Sequence, residues 1–140
     1  KEKIFSYTHN KYRKNIGKIC VALKANIKDE EIELEKLGKN LCMHIAACKP
    51  LSLDIDDLDK NIINKEIEIQ KDLIKSSGKP QNIIDKILKG KMKKFYSEIT
   101  LLNQYYILDT DKTVRDIVDE YSLKNSFKIV EYSFLVLGNE

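Results

Sequence analysis

The sequence predicts an α+β fold: a small three-stranded antiparallel sheet packed with helices, from which an antiparallel, coiled-coil-like helical hairpin projects. Three observations carry this reading. Strand-like runs at about residues 3–9 and 17–25 open the chain close enough together to pair, and a third at about 127–137 closes it. Between them, apolar residues recur at spacings of three and four over three long stretches, the period of one helix side. Two of those stretches, 59–76 and 80–102, are separated by only three residues, which forces the two helices to run antiparallel. Residues 1–57 and 103–140 thus read as one core, and 58–102 as an arm.

In the first hairpin, Ile19, Val21 and Leu23 alternate with Cys20, Ala22 and Lys24, as a half-buried strand requires. Its connection, residues 10–16, reads as a long polar loop with His9, Asn10, Lys11, Tyr12 and Arg13 at its rim. Exposed loops are where contact residues concentrate. A helix is expected from about Asp29–Glu31, where acidic residues suit the N-terminal dipole. It carries the stripe Leu34, Leu37, Leu41, Ile45 and Cys48 and stops at Pro50.

Asp59 suits the N-cap of the next helix, and Leu58 with Ile63 has the spacing of a hydrophobic staple. Its apolar side is Ile62, Ile63, Ile67, Leu73 and Ile74. Ser76-Ser77-Gly78 ends it, Gly tolerating the left-handed conformation that follows a helix, and Pro80 starts the third. There Ile84, Leu88, Met92, Phe95, Ile99 and Leu102 make a seam close to that of a coiled coil. The pair spans about 30 Å at 1.5 Å per residue. Ile83 and Ile87 lie off the seam: either they present an apolar stripe to a partner or they pack back on the core. Thr113 opens a short helix with capping-box spacing to Asp116, a shorter side chain than the usual Glu. In the last strand Phe127 and Ile129 face one way and Val130, Tyr132, Phe134 and Val136 the other. Both sides then need covering, one by helices and one by something beyond these residues.

The chain is 42% hydrophobic and 34% charged with a formal net charge of +3, the balance of a solvated globular protein. Its one basic cluster, Lys89, Lys91, Lys93 and Lys94, reads as a solvated helix face rather than a phosphate track, so no nucleic-acid partner is expected. No apolar run reaches membrane-spanning length and no signal-peptide pattern opens the chain. Lys1, followed almost at once by a strand, suggests a piece of a longer protein.

Cys20, Cys42 and Cys48 form no C-x-x-C pair, and His9 and His44 add no metal-ligand spacing, so free buried thiols in a reducing compartment are expected, with no metal or cofactor. His44, within Met43-His44-Ile45-Ala46-Ala47, reads as a core-edge histidine making one hydrogen bond rather than a base. His9, beside the loop, is open between contact and plain surface. Asp56-Asp57 precedes a helix and suits its dipole. Without a phosphate loop or a nucleophile–base pair, the chain reads as a protein-binding module and not an enzyme.

Six stretches, in order, resemble one family. Ser6-Tyr7-Thr8-His9 followed by Ile16-Gly17-Lys18-Ile19-Cys20-Val21 resembles the S-Y-x-H…I-G-V-L-V hairpin of elongation factor Ts. Met43-His44-Ile45-Ala46-Ala47-Cys48-Lys49-Pro50 resembles its M-H-I-A-A-S-K-P. Ser77-Gly78-Lys79-Pro80 matches S-G-K-P, and Gly90-Lys91-Met92-Lys93-Lys94-Phe95 matches G-R-M-K-K-F. Leu101-Leu102-Asn103-Gln104-Tyr105-Tyr106 resembles L-x-x-Q-P-F, and Lys112-Thr113-Val114 matches K-T-V.

The resemblance implies a guanine-nucleotide exchange factor for the translation GTPase elongation factor Tu. Such a factor acts on the GDP-bound and nucleotide-free forms by differential binding, without covalent catalysis. It places Tyr7, His9, Asn10, Tyr12, Arg13, Ile16 and Gly17 where the family contacts the GTPase's third domain. It also makes the helical hairpin, with Ile83, Ile87, Met92 and Phe95, a dimerisation arm as in some members. An intracellular site is implied: a bacterial cytoplasm, a mitochondrion or a plastid. The matched region is the C-terminal half of the family's architecture, and the T-D-F-V motif that acts near Mg²⁺ does not occur in this chain. The 10–16 stretch is longer than the family's and lacks its G-A-R or G-G pattern, insertions lie around 27–35, and Tyr105 stands where the family has Pro. A structural or dimerisation module without exchange activity shares this fold and is the alternative.

Overall fold

The computed structural model describes residues 1–14, 16–29 and 32–138, with Asn125 described in its backbone only. In chain order the elements are β1 (Glu2–Arg13), β2 (Ile16–Asn26), α1 (Ile32–Cys48), α2 (Lys60–Lys75), α3 (Gln81–Ile99), β3 (Tyr105–Tyr106), β4 (Asp109–Thr113), α4 (Val114–Asn125) and β5 (Lys128–Val136). Short 3-10 turns lie at Ile55–Asp57 and Leu101–Asn103. They form two compact units, Lys1–Pro50 with Tyr105–Glu140, and Leu51–Gln104. The fold is α+β with a three-stranded antiparallel sheet and four helices, as the sequence predicts.

In the first unit the strands lie in the order β1-β2-β5. The hairpin is longer than its alternation suggests: β1 runs to Arg13 and β2 starts at Ile16, so residues 10–13 and 16 are strand, not loop. Three features make this extension. Asn10 takes a left-handed φ of 51°, which asparagine tolerates better than most residues. Tyr12 is an extra residue, because Lys11 pairs with Gly17 and Arg13 with Ile16. At Gly17 a Cβ would lie 2.5 Å from the His9 carbonyl oxygen, so only glycine lets the strands close here. Of the expected connection only Lys14 and residue 15 remain, and residue 15 lies outside the described residues.

A second irregularity corrects the expected facing of β5. Lys24 pairs with Glu131 but Ala25 pairs with Ile129, so Val130 is bulged out of register. The bulge restores phase between the strand's two halves. Directly paired residues share a face. The rows Lys3–Ala25–Ile129, Phe5–Leu23–Tyr132, Tyr7–Val21–Phe134 and His9–Ile19–Val136 therefore line one side. Ile129, Tyr132, Phe134 and Val136 thus share one face, and of the apolar residues paired in β5 Leu135, opposite Cys20, lies on the other. The other side carries Ser6, Thr8, Cys20, Ala22 and Ser133, with Lys24 bridging Glu2 and Glu131.

Helix α1 packs on β1 and β2. Leu34, Leu37, Leu41 and Ile45 are buried, the expected stripe, while Cys48 at its end is half-buried. A Cβ on Gly38 would overlap the Phe5 ring, so this glycine sets how closely helix and sheet approach. The expected start of α1 at Asp29–Glu31 falls partly outside the described residues, and the helix is seen from Ile32. His44 is fully buried. Its Nδ1 accepts a hydrogen bond from the Ile107 N–H at 3.3 Å, and its ring stacks on Tyr106 at 5.9 Å, so it is a core residue. Cys42 is buried, but Cys20 and Cys48 are only half-buried, short of the expectation for all three.

Strands β3 and β4 form a two-stranded ribbon that periodicity does not announce. It leads into α4, where Thr113 and Asp116 close a full capping box: the Thr113 N–H donates to the Asp116 carboxylate at 2.8 Å. That bond holds the Asp116 carboxyl below its ordinary pKa, so the shorter acid reaches after all. Phe127, buried against Phe5 at 6.2 Å between ring centres, and the Tyr132 hydroxyl, donating to the Pro50 carbonyl at 2.7 Å, tie the last strand to the rest of this unit.

In the second unit Asp59 caps α2 by accepting from the Asn61 N–H at 2.8 Å. Helices α2 and α3 pack on each other across residues 76–80, where Gly78 takes a φ of 64°. Ile74 and Met92 are buried, and Ile63, Ile67, Ile84, Ile87, Leu88 and Phe95 half-buried. Helix α3 ends at Ile99 rather than 102. Thr100 is extended, its hydroxyl donates back to the Tyr96 carbonyl, and the Leu101 N–H leaves the helix for the Ser52 carbonyl at 2.9 Å.

Candidate protein-binding site

Burial along the helix-facing side of the sheet runs down toward the hairpin tip. Phe5, Val21, Leu23, Ala25 and Ile129 are buried. One step further out, Tyr7, Ile19, Phe134 and Val136 are half-buried, and His9 is exposed. The sheet thus ends in an apolar strip that none of the described residues of the unit covers fully. The strip follows from the strand register: the bulge at Val130 brings Phe134 and Val136 into line with Tyr7 and His9.

Tyr7 and His9 stand two residues apart on β1, on the same face. The Tyr7 hydroxyl and His9 Nδ1 lie 3.0 Å apart, with the ring centres at 6.0 Å. Either tautomer satisfies this contact, and Nε2 has no partner among the described residues. Beyond them the ribbon carries Asn10, Tyr12, Arg13, Ile16 and Gly17. Tyr12 is 81% exposed, pushed out as the bulged residue, and the Arg13 guanidinium lies over its ring at 5.7 Å from the centre. The structure therefore gathers the seven hairpin residues at one end of the sheet.

The second expected set lies in the other unit. Ile83 is exposed on α3, Ile87 and Phe95 are half-buried, and Met92 is buried. Ile19, Phe134 and Val136 are part of the hairpin strip without having been singled out as contact residues. No local signal marks them, because the bulge that aligns them is defined only by the pairing of β2 with β5.

Among the described residues no three His, Cys, Asp or Glu side chains come together as metal ligands would. Burial pushes the Cys42 thiol up to about 12 and also raises that of Cys48, the opposite of what a nucleophile needs. Among the described residues no helix is long and apolar enough to cross a membrane. An apolar strip with hydrogen-bonding rings, rimmed by Arg and Tyr, suits recognition of another protein.

Comparison with known proteins agrees with the order of motifs. The sequence model of the family described as Elongation factor TS matches residues 1–139. Elongation factor Ts of Roseobacter denitrificans is 43% identical over 119 residues, 85% of this chain and 39% of that protein. Its counterpart in Ehrlichia ruminantium (strain Welgevonden) is 36% identical over 139 residues, 96% of this chain and 48% of that protein. The mitochondrial elongation factor Ts of Plasmodium chabaudi chabaudi is 40% identical over 108 residues, 76% of this chain and 28% of that protein. The chain thus spans less than half the length of these relatives. The match over nearly every residue, with these identities, establishes that the chain belongs to the elongation factor Ts family.

Proposed function

We propose that this chain supplies the docking part of a guanine-nucleotide exchange factor, holding elongation factor Tu through the exposed end of its hairpin sheet. The observation that carries the reading is the Tyr7–His9 pair. It lies within the S-Y-x-H match, joined at 3.0 Å and set on a half-buried apolar strip. A rigid strand pair presents these rings already oriented, which lowers the ordering cost of binding. Exchange itself requires that the factor prefer the nucleotide-free GTPase. The T-D-F-V motif tied to that preference is not among these 140 residues. This chain therefore grips without strongly discriminating nucleotide state.

The test is titration of the chain into the isolated third domain of elongation factor Tu. Micromolar or weaker binding is expected, lost by at least tenfold in Tyr7→Ala/His9→Ala, since truncating central aromatic contacts costs about 1–2 kcal/mol or more. Binding that is unchanged in that variant places the contact elsewhere. A dimerisation role for α2 and α3 has its own support in Ile83, exposed at 41% on α3. Ile83→Lys/Ile87→Lys should then abolish any dimer seen by light scattering.

A further inference from the structure

The hairpin is electrically unlike the rest of the chain. From Lys3 to Lys28 there are seven Lys and Arg and no Asp or Glu. The remaining residues hold 18 basic against 22 acidic side chains, so the small net charge of the whole conceals a strongly positive element. Two of the seven are neutralised: Lys3 pairs with Glu35, and Lys24 with Glu2 and Glu131. Lys11, Arg13, Lys14 and Lys18, at the distal end, are exposed and have no carboxylate within ion-pair distance among the described residues. The bulge at Tyr12 adds an 81% exposed aromatic ring with the Arg13 guanidinium over it at 5.7 Å.

We propose that this tip is an electrostatic docking element for an acidic patch on a protein partner, set beside the apolar strip that makes the closer contact. The proposal rests on the reading that the chain binds elongation factor Tu and specifies the chemistry of the surface met there. Four like charges at the end of a ribbon raise the potential locally and speed encounter with an oppositely charged surface. A protein fits better than a nucleic acid because the charges adjoin half-buried Ile19, Phe134 and Val136. A phosphate backbone offers no complement to that strip, whereas the core of a protein interface does. Tyr12 and Arg13 are of the residue types that most often carry interface energy.

The experiment is stopped-flow association of the chain with elongation factor Tu at low and physiological ionic strength. Wild type is compared with Lys11→Gln/Arg13→Gln/Lys14→Gln and with Lys89→Gln/Lys91→Gln/Lys93→Gln, an equal charge change on α3. The tip variant should associate at least about tenfold more slowly at low salt, with the gap closing as salt screens the charges. The α3 variant should stay within about twofold of wild type, and both should keep the wild-type circular dichroism. Equal association rates for wild type and tip variant, or equal slowing in both variants, overturn the docking role while leaving partner binding intact. A wild-type chain that does not bind the GTPase removes the partner reading and this proposal with it. Duplex RNA binding lost only in the tip variant, with GTPase association unaffected, assigns the tip to nucleic acid instead and also overturns it.

Discussion

Tyr7 and His9 meet because a strand returns every second side chain to one face, and they stay accessible because the apolar contacts of the core have faded by that point in the sheet. Burial also governs Cys42, whose thiol is raised from 9.0 to about 12 by its loss of hydration. Between those values the unfolded chain has released this proton and the folded chain has kept it. The contribution of the raised pKa is therefore complete below about 9 and declines as pH climbs toward 12, by roughly 1.4 kcal/mol per unit at most. Urea unfolding of wild type and Cys42→Ala at pH 8 and pH 10.5 should show the stability gap shrinking at the higher pH. An unchanged gap would mean that the folded thiol ionises as readily as the unfolded one.

The elements show where local signals suffice and where they do not. Asp59 at the start of α2, the Thr113–Asp116 capping box and the stop at Pro50 are legible because each depends on a few neighbouring residues. The three strands and the α1 stripe are legible from period alone. Bulges are not, because they depend on the partner strand: Tyr12 and Val130 are recognised only once the pairing of β2 is known. Ignoring them shortens the hairpin and splits the apolar residues of β5 between two faces. The β3–β4 ribbon fails for another reason, since Tyr105-Tyr106 is too short for alternation and Tyr106 is held by stacking on His44. The bulge can be tested directly. Deleting Val130 should leave a regular strand with the same residues facing α1, and stability should fall by no more than about 1–2 kcal/mol in urea unfolding. If Ile129 and Tyr132 belonged to opposite faces, the deletion would expose one half of the strand and cost several kcal/mol more.

For the whole chain, the family and the α+β class emerge from motif order and period, whereas the site emerges only from the sheet. Tyr7 and His9 were marked by the S-Y-x-H match, but the apolar strip beside them needed the register of β5. The uneven charge likewise gains meaning only when the extended hairpin carries Lys11, Arg13 and Lys14 to one end. The chain spans less than half of its relatives, 39% of one and 48% of another. Docking without discrimination is the central claim. A ligand of equal affinity for two states shifts neither, so such a chain would bind elongation factor Tu and barely hasten GDP release. The decisive measurement is calorimetric titration of the chain into GDP-bound and into nucleotide-free elongation factor Tu. Micromolar or weaker binding to both is expected, with dissociation constants within about threefold of each other. Absence of binding to either form, or a preference of a hundredfold or more for the nucleotide-free form, would contradict it.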